Sequence, residues 1–215
     1  MTREEIILKV EGSRYDKSYM TTHARRYEKS LAALERHMGS PGPVLDIGWP
    51  TIFDDILLER GHSVFNGDWD IRKPWPRGSK TVPVVLLMEV VEHLKDPEPG
   101  AFDTFTYDGL VRALAEAHRI LIPGGLLFLS TPNIASTGSL SRLIKSGSPM
   151  LFTPHVREYT ANEIAWWVTQ AGFKLIEVTT EACYEDTDPA ILDLIAKARG
   201  DITLRDDTTF LFATP

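Results

Sequence analysis

Along the chain, short unbroken apolar runs alternate with longer stretches in which apolar residues return at helical intervals. Val44-Leu45-Asp46-Ile47 leaves the turn Gly42-Pro43 and ends at Gly48, which reads as a short, fully buried strand. A helical pattern over residues 52–60 starts almost at once and stops at Gly61. Residues 62–67 read as a second strand. Residues 82–88 are apolar throughout and read as a strand covered on both faces. A helix is predicted over 103–120, with Leu110, Leu114, Ala117 and Ile120 turned to the sheet. Pro123-Gly124-Gly125 breaks it before a strand at 126–130. A helix over 160–172 follows, with Thr160 and Glu163 at capping-box spacing and Gly172 as its stop. Then come a strand at 173–180, a short helix at 191–199 and a last strand at 208–214.

Three stretches depart from this rhythm. Residues 1–20 are polar with scattered aromatics, and no element is predicted there. Residues 21–37 are helical, with Ala24, Tyr27, Leu31 and Leu34 on one side, and are expected over the sheet's edge or its ligand mouth; Tyr19 and Arg26 are either packed there or touch a ligand. Residues 72–80 are rich in Pro, Lys and Arg and leave little room for a helix plus another strand, so a third strand on that wing is doubtful or very short. Residues 134–154 mix Ser, Gly and apolar positions and read as a mobile cover. The expected architecture is α/β: a doubly wound, mostly parallel, Rossmann-like sheet of six or seven strands with an antiparallel final strand and helices on both faces. A single domain over 1–215 is expected, with a helical cap at 1–40 and the cover at 134–160.

Composition narrows the function classes. The chain has 215 residues, 43% hydrophobic and 25% charged, enough for one sizeable core. Its formal net charge is −7 and no basic run stands out, so a nucleic-acid partner is not expected. The single cysteine, Cys183, excludes an internal disulfide framework, and no sequence cluster calls for a metal. No signal pattern opens the chain and no apolar run nears the roughly 18 residues of a membrane span, so a soluble cytoplasmic protein without membrane insertion is the expectation.

The candidate chemistry collects at strand ends. A buried strand that runs through Gly48 into a helix offers unpaired N–H groups and an approach clear of side chains. Asp46 has two open readings: it meets a cationic ligand group, or it caps nearby backbone N–H groups. Pro50 stands where a nucleotide-binding pattern wants its second glycine, so the fingerprint is half lost, though proline suits a first helical turn. Thr51 and Asp54 suit a helix start, loosely as a capping box. Asp68 lies about 20 residues past Gly48, where such folds place an acid on the ribose hydroxyls. A turn acid is the alternative, and Asp70 is the second candidate. Glu89, Glu92 and His93 sit at the carboxyl end of the 82–88 strand, to bind a ligand or to pair with loop backbone.

The order of these pieces resembles a class I S-adenosylmethionine-dependent methyltransferase of the small-molecule group. The resemblance spans about 44–180. It is carried by Val44-Leu45-Asp46-Ile47-Gly48, by Met88-Glu89-Val90-Val91-Glu92-His93-Leu94 with Asp96-Pro97, by Arg119-Ile120-Leu121-Ile122-Pro123-Gly124-Gly125 through Ser130-Thr131-Pro132-Asn133, and by the stretch from His155 to Ala171-Gly172-Phe173. It implies S-adenosylmethionine as cofactor. The methionine part would lie at Gly48, Asp46 would steady that turn or the ammonium group, Asp68 would hold the ribose, and Met88 and Glu89 would line the adenosine or sulfonium region. Glu92 and His93 are implied to be architectural. The chain departs from the pattern at Trp49-Pro50, where a small residue and glycine are usual. It departs again at Gly67-Asp68-Trp69-Asp70, and the adenine-side aspartate has no counterpart unless Asp70 doubles for it. Trp49 would stack on the ligand or fill its pocket.

Methyl transfer to a small-molecule acceptor, most simply a hydroxyl oxygen, follows. Asn133, Arg157 and Tyr159 would shape the acceptor pocket. His155 would act as base, since histidine titrates near neutral pH, or would only fasten the cover. Two rival readings remain: a silent relative that binds ligand or partner without turnover, and a nicotinamide-dependent oxidoreductase on the same sheet. The sequence does not specify an oligomeric state.

Overall fold

The computed structural model describes residues 1–96, 107–152 and 154–215. Within them the element order is α1 (Arg3–Glu11), α2 (Lys17–His37), β1 (Pro43–Ile47), α3 (Ile52–Glu59), β2 (Ser63–Gly67), β3 (Val82–Met88), α4 (Asp108–Ile120), β4 (Leu121–Pro132), α5 (Thr137–Ser146), α6 (Ala161–Gln170), β5 (Lys174–Glu181), α7 (Pro189–Lys197) and β6 (Thr208–Thr214), with a short 3₁₀ turn at Val91–His93. The predicted helix start at Asp103, Pro97 of the second motif and Thr153 of the cover lie outside the described residues.

The sheet has six strands in the order β2-β1-β3-β4-β6-β5. β1, β2, β3 and β4 pair in parallel, while β6 runs antiparallel to both β4 and β5. This is the expected doubly wound α/β sheet, its order reversing between β1 and β3. The stretch between β2 and β3 holds no strand, so the wing beyond β2 is short, as the Pro-rich segment implied.

Alternation along the strands explains why both faces are covered. Leu45, Ile47, Val85, Leu87, Leu127, Leu129, Leu211 and Ala213 face one core with Leu110, Ala113, Leu114, Ala117 and Ile120 of α4 and Ile164 and Val168 of α6. Val44, Leu86, Phe128, Phe210 and Phe212 face the other with α2 and α3. Successive residues point to opposite faces, so strands apolar at every position need helices on both sides.

The N-terminal region differs from its expectation. α1 exists, built on a capping box between Thr2 and Glu5, and buries Ile6 and Val10. α2 starts earlier than predicted, at an Asp16 cap. Its face of Met20, Ala24, Tyr27, Leu31 and Leu34 lies across the sheet against Phe53, Phe128 and Phe212 rather than along an edge. β4 begins at Leu121. Its pairing with β3 shifts between Val82 and Val84, which lets Pro123-Gly124-Gly125 bulge out before the ladder resumes at Leu126.

Candidate active site

The carboxyl ends of β1, β2 and β3 and the start of α2 enclose a cleft of about 1390 Å³. Ligand pockets of roughly 300–1,000 Å³ hold one small molecule, so this space admits a cofactor and an acceptor together. Asp46, Gly48, Trp49, Asp68, Met88 and Glu89 all line it. The glycine-ended first strand and the acid beyond the second thus converge.

Gly48 has φ +144, a backbone conformation closed to most L-residues. An added Cβ would come no nearer than 3.9 Å to Val90 Cγ2, so the glycine is needed for its dihedral and not for space. Trp49 is 90% exposed and stands at the rim; it does not fill the cleft. Pro50 leads into Thr51, which caps α3. Asp54 Oδ2 accepts the Thr51 N–H at 2.6 Å and Asp54 Oδ1 accepts Asn66 Nδ2 at 3.1 Å. The turn is therefore steadied by Asp54, which ties β1, α3 and the end of β2 together. Asp46 is left beside it, 5% exposed, with its carboxyl pushed well up by burial and by Asp54, against the opposing field of Arg26.

Arg26 is the residue that sequence spacing left undecided. It comes from the third turn of α2, is buried at 3% exposure, lines the cleft, and leaves Nε and Nη1 without a hydrogen-bond partner. Burial opposes its charge, but Glu89 and the surrounding tyrosines keep it protonated. A buried guanidinium with unpaired donors is costly until an anion meets it. No sequence signal placed it: residue 26 is a quarter-turn from the core position Tyr27, and only the lie of α2 over the sheet brings it to the strand ends.

Glu89 has φ +55, rare for a non-glycine residue, and marks the end of β3 as a strained turn. Its carboxylate accepts Ser130 Oγ at 2.8 Å and Tyr184 OH at 3.4 Å, and Tyr184 OH also meets His23 Nδ1 at 2.8 Å. Burial and Arg26 pull His23 down to about 3, so it stays neutral.

Asp70 is turned away from the cleft. Its carboxylate takes two hydrogen bonds from the Arg72 guanidinium, chiefly for which reason it is held down to about 2. Of the two acids, Asp68 is the one that lines the cleft. Asn133, Arg157 and Tyr159 do not line the cleft. Asn133 donates to the Leu204 and Asp206 carbonyls and accepts from Ala135 N–H, which uses up its amide on the loop before β6. Tyr159 is in the core, and Arg157 pairs with Glu163 and lies over the Tyr107 ring.

His155 is not at the cleft wall either; it sits behind His93, which is, with ring centroids 4.8 Å apart. Glu158 holds it. The buried Glu158 Oε1 meets His155 Nδ1 at 2.7 Å and accepts the N–H groups of Leu151 and Phe152. The Glu92 carbonyl accepts the Val156 and Arg157 N–H groups, which ties the segment after α5 onto the end of β3; the stretch expected as a cover holds α5, and its described residues do not line the cleft. Glu92, His93 and His155 offer ligand atoms within 4.8 Å of one another, a cluster that no local sequence spacing announced.

A methyltransferase-domain family model matches residues 20–178, most of the chain. The chain belongs to that family. It is an S-adenosylmethionine-dependent methyltransferase, and the sheet order agrees. Among solved structures, a SAM-dependent methyltransferase from Archaeoglobus fulgidus is similar at 19% identity and TM-score 0.61, covering 93% of this chain and 100% of that one. A methyltransferase from Thermotoga maritima, described as a possible histamine N-methyltransferase, is similar at 16% identity and TM-score 0.53, covering 92% and 93%. The small RNA methyltransferase HEN1 is similar at 14% identity and TM-score 0.55, covering 88% of this chain and 25% of that one. Such distant likenesses establish the fold and not the acceptor, and the HEN1 likeness leaves the expected exclusion of nucleic acid resting on charge alone. No curated protein matches the methyltransferase by sequence. Among its described residues no helix is long and apolar enough to cross a membrane.

Proposed function

We propose that this methyltransferase binds S-adenosylmethionine across the ends of β1 and β2 and methylates a hydroxyl oxygen of a small molecule held between His93 and α2. One observation carries the cofactor pose: the unpaired Arg26 guanidinium and the Asp46 carboxyl line the same cleft beside Gly48. A buried cation next to a buried acid is complementary to the carboxylate and ammonium of an amino-acid end group. Asp68 takes the ribose, because a carboxylate accepts two hydrogen bonds from a vicinal diol. Met88 and Glu89 border the sulfonium, and Trp49 closes over the rim.

Bound S-adenosylmethionine supplies a methyl that is already electrophilic, so the protein's work is alignment and proton management. His93 and His155 stand together at the acceptor end. Burial and His155 lower the basicity of His93, keeping an imidazole lone pair available at neutral pH. His93, at the cleft wall, takes the acceptor's proton as the base, and His155, oriented through Nδ1 by Glu158, stands behind it to receive the proton in turn.

Calorimetry with S-adenosylhomocysteine tests the pose. Micromolar binding that Arg26→Met weakens ten-fold or more supports it; no binding at millimolar ligand sinks it and favours a silent relative, the reading that Pro50 and the short wing support. The acceptor is tested with hydroxylated small molecules, amines and short RNA, with products read by mass spectrometry. Methylation of RNA or of amines alone would overturn the hydroxyl assignment.

A further inference from the structure

We infer that Glu92, His93 and His155 form a binding site for a first-row divalent cation at the acceptor end of the cleft. Glu92 is buried at 1% exposure and its Oε1 has no hydrogen-bond partner, while its Oε2 is occupied by Thr131 Oγ1 at 3.0 Å. A buried carboxylate that keeps one oxygen empty is costly unless something positive arrives there. His93 Nε2 stands 3.8 Å from that oxygen. His155 commits Nδ1 to Glu158, which leaves Nε2 as its free lone pair, and all three donors fall within 4.8 Å.

The supports are those of a built site. A carboxylate that fixes the far nitrogen of a histidine is how metal-binding imidazoles are oriented, and Glu158 holds His155 in that way. The Glu92 main chain is pinned by Val156 and Arg157 N–H groups, and its side chain by Thr131. Donors about 2.1 Å from a tetrahedrally held cation lie about 3.4 Å apart. The widest separation, up to 4.8 Å, therefore has to close by about 1.4 Å, and the His93 side chain, 48% exposed, has room to swing.

One carboxylate oxygen and two imidazole nitrogens suit zinc, manganese, iron or cobalt over magnesium or calcium. Three protein donors leave coordination positions open, and His93 turns them to the cleft. An oxygen-bearing acceptor fits there; this assignment of the open side rests on the methyl-transfer reading, whereas cation binding does not. With a cation held, both imidazole lone pairs are occupied. An acceptor hydroxyl is then acidified by the cation and loses its proton to water, so with the cation bound His93 and His155 act as ligands in place of bases.

The test is titration of the whole chain, cleared of metal by chelation, with Co²⁺, read by visible d–d absorption and by calorimetry. One Co²⁺ per chain at micromolar affinity, displaced by Zn²⁺, is expected. Glu92→Gln and His155→Ala should each weaken it at least ten-fold, and Glu158→Gln about 10–100-fold. His118→Gln, outside the cluster, should leave it unchanged. Absence of binding at millimolar Co²⁺, unchanged affinity in both ligand variants, or equal loss in His118→Gln overturns the site. Circular dichroism of each variant separates loss of a ligand from loss of fold. Parallel titration with S-adenosylhomocysteine separates the two readings. If Co²⁺ binds and the nucleoside does not, the transferase pose fails and the cation site stands; the reverse removes the cation site alone.

Discussion

At the scale of single residues, the cleft is built from groups that are uncomfortable when it is empty. Gly48 occupies φ +144, so Gly48→Ala introduces strain of about 1–3 kcal/mol although there is room for the methyl. The expected outcome is a lower melting temperature together with weaker S-adenosylhomocysteine binding. Asp46 carries a pH signature. Burial and Asp54 raise its carboxyl in the folded state, so the folded chain holds that proton more tightly than the unfolded chain. Its contribution to stability is therefore lost as pH rises from about 3.9 toward the raised value. Asp46→Asn should raise the melting temperature at neutral pH while weakening cofactor binding. A cationic ligand group stabilises the ionised acid, so binding should release a proton and strengthen as pH rises through the raised range. Calorimetry in two buffers of different ionisation heat measures that release, which Asp46→Asn should abolish. Trp49, 90% exposed, predicts a different split: Trp49→Ala should change stability by less than about 0.5 kcal/mol while weakening S-adenosylhomocysteine several-fold.

Elements set which of these groups meet. The capping box at the start of α3 places Asp54 where it reaches both Thr51 and Asn66, and that turn compensates for the glycine lost at Pro50. The segment between α5 and α6 depends on one acid. Glu158 receives the N–H groups of Leu151 and Phe152 as well as His155, so Glu158→Ala takes the acceptor from two part-buried donors and from the imidazole. A loss of about 1–3 kcal/mol in the opening of this segment is expected, read as faster amide exchange at Leu151 and Phe152. The helix read at 160–172 was legible because its cap, period and stop agreed, and the β3 and β6 strands because each centres on an unbroken apolar run. α1 was not: it buries only Ile6 and Val10, too few positions for its period to stand out, although the Thr2–Glu5 box was there to be read.

For the whole molecule, α2 joins structure to site. Its core face covers one side of the sheet while Arg26 and Tyr19 reach the cleft. Leu31→Ala should therefore cost about 2–5 kcal/mol, as a core truncation, and not the fraction expected of a loosely laid cap. Chemical denaturation measures it, and a loss under about 1 kcal/mol would show the N-terminal helices to be peripheral.

The sequence by itself determined the α/β class, the succession of strands along the chain and the convergence of Asp46, Gly48, Asp68 and Glu89, because each lies at a strand end and parallel strands deliver their carboxyl ends to one edge. Only the tertiary structure decided that Asp70 turns to Arg72, that Asn133 and Tyr159 are consumed by loop and core, and that Arg26 is buried with donors to spare. It also decided that His155 meets Glu92 and His93. Side-chain direction and long-range contact follow from packing between distant segments, and neither leaves a local period to read.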